Sequence, residues 1–322
     1  MKLSTLLIVL VLAHGALAAG PYQATGLKVG EVTDTSAIVW ARLTLREQRN
    51  SDDAPKVEIA YEQTQGSGRR QAAVASIKYP GGVTVADIFQ AVPGTDGDVR
   101  VGYRINGQDQ WQWTEWKEVD GLRDFTQQFQ LHGLMANSRY DVVVASRSVS
   151  GEPGQSFEGT FRTAPSKDQS ARVVFTVSTG QGDNDQDRPD GFNIYPEMMK
   201  LDPNFFVHTG DIIYYDRMAK TVGLARWHWQ RMYSRSTNVE FHNRVSSYFI
   251  KDDHDTWTND SWSTMKSNMG TFTWDDGIRV FKEQVPMGDK TYRNYRWGKD
   301  LEVWLVEGRD YRSSNRMEDG PD

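Results

Sequence analysis

Residues 204–216 read NFFVHTGDIIYYD. The apolar run Phe205, Phe206, Val207 gives way at once to polar residues, and Gly210 lets the backbone turn sharply so that the Asp211 carboxylate can point into a cleft. Residues 246–255, SSYFIKDDHD, repeat the arrangement, and residues 172–179, RVVFTVST, supply a third apolar run that ends in polar residues. Continuous apolar runs of this length read as strands buried on both faces, the pattern of a parallel sheet covered by helices. Helical stretches fit between them: GFNIYPEMMKLD (191–202) after the first run and GLARWHWQRMYSR (223–235) after the second, where Leu224, Trp227, Trp229, Met232 and Tyr233 share a face. Strand, helix, strand with chemistry at the C-terminal strand ends is how open α/β sheets place their ligands. NYRWGKDLEVWL (294–305) reads as a hairpin around Gly298-Lys299-Asp300 at the sheet edge.

Upstream the period changes from continuous to alternating. TSAIVWARLT (35–44) and DVRVGYRI (98–105) alternate apolar and polar positions between Gly, Pro and Asp turn signals, which argues for half-buried strands. Tyr140 stands just before the apolar run 142–145, the placement of the corner tyrosine of immunoglobulin-like and fibronectin type III sandwiches. A polar break at Pro165, Ser166, Lys167 and Ser170 divides an all-β sandwich (19–165) from the α/β (α+β) region (166–322). Two domains suit a chain of 322 residues. The first 18 residues carry Lys2, an apolar run over 6–13 and the Ala16-Leu17-Ala18 ending of a signal peptide, so the mature protein is expected to be secreted, without a membrane span.

Composition narrows the chemistry. A net charge of −6 argues against nucleic acid as a stable partner, because neutralising a phosphate backbone takes clustered excess Lys and Arg. The chain has no cysteine, so any metal is held by O or N donors. Taken singly, Asp211 could cap a helix and KDDHD could be a solvated acidic loop. Together, two strand ends deliver Asp211, Asp252 and Asp253, like charges whose crowding a bound cation would relieve. Tyr214 adds a phenol three residues after Asp211, and His254 supplies an imidazole, whose unperturbed pKa of ~6.5 suits protonation of a leaving oxygen. DNDQDRPDGF (183–192) alternates Asp183, Asp185 and Asp187 but has Arg188 and Ile194 where a calcium loop needs Gly and Glu. Of the eleven tryptophans, six fall between Trp227 and Trp297, where core packing is the expected role.

DPNFFVHTGDIIYYD, KDDHDTWTND and LEVWLVEGRDYRS resemble, in order, the GDxxY, DDH and tRxYR blocks of the PhoD-like alkaline phosphatases, metallophosphoesterases related to purple acid phosphatases. GLKVGEVTDTSAIVWARL (26–43) is similar to that family's N-terminal sandwich opening. The resemblance implies a metallophosphoesterase-type domain that hydrolyses small phosphate esters with iron (Fe3+) and calcium. It implies Asp211 as a metal-bridging carboxylate, Tyr214 as a ferric ligand, Asp253 as a ligand to the second metal and His254 as the group assisting departure of the alcohol. Arg309 would contact the phosphate or serve a structural role. In STGQ (178–181) Gly180 stands where the family carries a metal-binding Cys, and Asp183 is the nearby residue that could lend an oxygen instead. No His follows the third block, so the resemblance implies an incomplete domain, a truncated product or fragment. A non-catalytic secreted binding protein with a degraded metal site is the alternative.

Overall fold

The computed structural model describes residues 20–61, 74–215, 218–266 and 269–318; the signal peptide read over 1–18 lies outside them. In chain order the first half gives β1 (Lys28–Gly30), β2 (Ser36–Arg42), β3 (Glu58–Tyr61), β4 (Val74–Lys78), β5 (Asp98–Ile105), β6 (Gln112–Trp113), β7 (Lys117–Glu118), β8 (Thr126–His132), β9 (Arg139–Arg147) and β10 (Pro153–Arg162). The second half runs β11 (Phe175–Ser178), α1 (Ile194–Met199), β12 (Phe205–His208), α2 (Val222–Tyr233), α3 (Ser236–His242), β13 (Ser247–Phe249), α4 (Trp274–Gln284), β14 (Arg293–Trp297) and β15 (Leu301–Leu305).

Alternation does in the first half what its period demands. β5 turns Val99 and Val101 inward, β9 turns Tyr140, Val142 and Val144 inward, and these meet Val29, Val39 and Phe129 from the other sheet in one buried cluster. Tyr140 closes the corner as its position in the sequence suggests: its hydroxyl accepts the Met135 amide N–H at 2.8 Å, and its ring stacks on Phe161 at 5.2 Å.

The two halves share a sheet. Its strand order is β11-β12-β13-β1-β2-β8: three parallel strands of the second half are continued by antiparallel strands of the first, joined where Gly30 pairs in parallel with Ser247. The break at residues 165–170 therefore separates two sequence patterns that fold onto one continuous sheet. The second sheet, β10-β9-β5-β6 with β7 beside β5, covers the first-half end.

β12 and β13 are buried on both faces, as their continuous apolar runs demand. β11 departs from that expectation. It forms the edge of the sheet, paired to β12 alone among the described residues, and Phe175 and Val177 are about half exposed at 46% and 50%. An apolar run cannot by itself distinguish an edge strand from a central one. The hairpin β14–β15 forms, but as its own two-stranded sheet; it docks by a buried Trp297 that lies 4.7 Å from Phe205 and donates its indole N–H to the Tyr248 hydroxyl. Of the six clustered tryptophans, Trp227, Trp229, Trp257, Trp274 and Trp297 are buried, so packing is their role.

Tyr140→Phe removes one partly buried hydrogen bond, the one that closes the corner onto the Met135 amide. Urea unfolding should show a loss of roughly 1–2 kcal/mol, with an unchanged m-value.

Candidate metal centre

The residues that end β12 and β13 converge because one glycine lets them. Gly210 adopts φ 103, and a Cβ there would stand 2.5 Å from the Asp252 Cβ and 2.6 Å from its amide nitrogen. No other residue allows the two loops to approach so closely. Asp211 follows at φ 53, the left-handed region that Asp tolerates better than most residues. The reversal turns its carboxylate toward the second loop. Asp211, Asp253 and His254 each offer a ligand atom within 4.8 Å of the others.

Tyr214 joins this group. Its hydroxyl donates to Asp211 Oδ2 at 3.4 Å, and its ring lies 4.5 Å from that of His254. The four residues that the resemblance singled out, Asp211, Tyr214, Asp253 and His254, are thus brought together. Burial raises the Asp211 carboxyl above its ordinary range; the nearby His254 opposes that shift while Asp252 and Asp253 add to it. Asp211 Oδ1 is buried and has no hydrogen-bond partner. An orphaned carboxylate oxygen facing a second carboxylate, an imidazole and a phenol is a donor set that fits a hard cation.

Arg309 lies against the second loop's carboxylates. Its guanidinium pairs with Asp252 and reaches Asp253 at 3.5 Å, so a cation supplied by the chain offsets part of the carboxylate repulsion. The loop that carries it is anchored from below. Lys251, buried at the end of β13, holds Glu307 at 2.8 Å and Asp310 at 2.5 Å, and Glu307 in turn accepts the Arg309 amide N–H at 2.6 Å.

One sequence expectation changes. Asp183 lends no oxygen to this group: its carboxylate binds Arg235 at 2.5 Å and Arg231 at 3.3 Å. Asp185 and Asp187 accept the amides of Gly182 and Asn193, so the acidic loop is fastened by protein donors. At Gly180, φ is +65 and a Cβ would meet nothing within 4 Å, so open space stands where the family's Cys side chain would project.

Asp255 carries more of the site than the sequence disclosed. Fully buried, it accepts the Ile212 amide N–H at 3.2 Å through one oxygen and the Asp252 amide N–H at 2.6 Å through the other, clasping both ligand-bearing loops. Burial pushes its carboxyl up to about 8, against the two amides that favour the charged form. The signal was the third acid of KDDHD, which sits two residues beyond Asp253 on the turn that follows the strand.

Residues 175–321, which include all of these side chains, match the model of the family described as PhoD-like phosphatase. The solved structure of PhoD superposes with a TM-score of 0.65 at 13% identity, over 96% of this chain and 55% of that one. A purple acid phosphatase from seeds of yellow lupin (Lupinus luteus) superposes at 0.50 and 11% identity, over 84% of this chain and 42% of that one. The fold is shared with both, and the chain spans about half the length of either. No curated protein matches it in sequence.

His208, the last residue of β12, is fully buried with neither ring nitrogen hydrogen-bonded, and burial drives its pKa down to about 3. The neutral ring is favoured in the folded state, so its contribution is complete above pH ~6.5 and is lost as pH falls from there toward 3. His208→Leu should flatten that loss. Denaturant titrations between pH 6 and pH 4 should show wild type falling more steeply by up to about 1.4 kcal/mol per pH unit, and parallel slopes would contradict the assignment.

Proposed function

We propose that the chain provides the metal-binding core of a secreted phosphoesterase that hydrolyses small phosphate esters. The observation that carries this reading is the convergence of Asp211, Tyr214, Asp253 and His254 at the C-terminal ends of adjacent parallel strands, with Asp211 Oδ1 left without a protein partner. Asp211, Tyr214 and Asp253 would hold metal. Carboxylate and phenolate oxygens suit ferric iron, and calcium fits the second, carboxylate-rich position. Bound there, the ions would activate water and stabilise charge that develops on the phosphoryl oxygens.

The chain's own residues do the rest. His254, oriented against the Tyr214 ring, would give a proton to the departing alkoxide oxygen. Arg309 keeps Asp252 and Asp253 in place, and its Nη1, enclosed and without a protein partner, would meet a phosphate oxygen. Asp255 holds the two loops at a fixed separation, which keeps the donor atoms preorganised.

We further propose export, with cleavage near Ala18, supported by the charge, apolar run and small-residue ending of the first 18 residues. Among the described residues no helix is long and apolar enough to cross a membrane. For residues 19–165 we propose a fibronectin or immunoglobulin-like sandwich, one sheet of which continues into residues 166–322, supported by the facing sheets and the Tyr140 corner. The open space at Gly180 favours the alternative, a binding protein whose metal site has lost its chemistry.

Turnover of p-nitrophenyl phosphate and bis(p-nitrophenyl) phosphate with added Fe3+ and Ca2+ separates these readings. Asp211→Asn should lower kcat by more than about a hundredfold, beyond what the loss of a supporting contact costs. Unchanged turnover in that variant would refute the site. A wild-type chain that holds metal without turnover would favour the binding protein.

A further inference from the structure

At the opposite end of the strands that carry the metal centre lies a second feature of different chemistry. A cavity of about 500 Å³ opens beside Arg104, Trp111, Arg139, Thr160 and Arg244. A second, of about 160 Å³, shares Arg139, Thr160 and Arg244 with it and extends to Arg162 and to the start of β12 at Asn204. The two form one groove between the ends of β9 and β10 and the turn before β13. In a chain of net charge −6, four arginines on one groove are a local inversion of charge.

The acids at the groove neutralise two of the four. Asp141 is paired with Arg104 at 3.0 Å and Asp202 with Arg162 at 2.6 Å. Glu158 is exposed at the rim. Among the described residues Arg139 and Arg244 have no carboxylate partner within salt-bridge distance, and both are exposed. Arg139 donates to the Thr160 hydroxyl at 3.5 Å and that hydroxyl donates to the Arg244 carbonyl at 3.5 Å, so the two unneutralised guanidiniums, not the threonine, are the groups suited to an anion with several acceptor oxygens.

Trp111 gives the groove an aromatic end. Its ring is backed by Arg104 at 4.5 Å and lies 6.1 Å from Trp113, which is 44% exposed. Trp113 is in turn stacked on Arg100 at 4.2 Å, Arg100 on Trp116 at 4.6 Å, and Trp116 on Arg147 at 4.4 Å. The outer face of β5 thus carries alternating guanidiniums and indoles that lead into the groove. Aromatic faces stack on the apolar faces of sugar rings, while cations bind acidic substituents.

We propose that this groove binds a linear anionic polysaccharide, one that carries sulfate or carboxylate groups, independently of the metal centre. The aromatic approach favours a sugar chain over a bare phosphate polymer.

Affinity electrophoresis of the full chain against dextran sulfate, polygalacturonate, neutral dextran and inorganic polyphosphate tests this. Retardation is expected by one or both anionic polysaccharides and not by neutral dextran. Arg139→Ala with Arg244→Ala should weaken it roughly tenfold, the sum of two partly exposed charge contacts. Trp111→Ala should weaken it about fivefold, and circular dichroism should show all variants folded. The proposal is overturned if neither anionic polysaccharide retards the chain, or if the folded variants bind as wild type does. It is also overturned if polyphosphate binds as tightly as the polysaccharides and Trp111→Ala has no effect, which would make the groove a plain anion site.

Discussion

The close approach of two loops at Gly210 and Asp252 is the constraint from which the site follows. Parallel pairing of β12 with β13 brings the strands to ladder distance, but ladder distance alone leaves loop carboxylates free to splay apart. The missing Cβ at Gly210 allows the loops to touch, and Asp255 then fastens them through one amide from each. Replacing Gly210 would push the second loop away and separate Asp211 from Asp253 and His254, although each would remain on its own strand end. The chemistry thus depends on backbone geometry that none of the metal-binding side chains itself supplies.

Crowding carboxylates has an electrostatic cost that this chain meets in layers. Arg309 covers Asp252 and part of Asp253, and the buried Lys251 with Glu307 and Asp310 fixes the loop that presents Arg309. Buried ion pairs of this kind add little net stability, since desolvation offsets the attraction, but removing one partner leaves an uncompensated charge and costs several kcal/mol. Their effect here is to fix position. What the chain's own cations leave uncovered is Asp211, half-buried, raised in pKa and with one enclosed oxygen unpartnered. That residual defect is where an ion would be stabilising.

Much of this was legible because period and residue type are local properties. The apolar runs gave β12 and β13, helical spacing gave α2 with Leu224, Trp227, Trp229, Met232 and Tyr233 all buried, and the position of Tyr140 gave the corner hydrogen bond. Other features depend on what lies across space. The edge position of β11 is set by the order of strands, which hydrophobicity does not encode. The union of both halves in one sheet rests on the pairing of Gly30 with Ser247, more than two hundred residues apart. Asp183 looked available for a metal because nothing near it in sequence announced Arg231 and Arg235 on α2 and at its end. The helix α4 did carry a readable signal, the reciprocal capping of Thr273 and Asp276, hidden in a segment that drew notice for its tryptophans.

The central claim is that Asp211, Tyr214, Asp253 and His254 form a metal centre, and metal content per chain tests it most directly. The protein would be equilibrated with Fe3+ and Ca2+, freed of loose ions by gel filtration and measured by elemental mass spectrometry beside Asp253→Asn. Wild type should retain at least one ion per chain, and the variant markedly less. Equal metal in both, or none in either, would contradict the account.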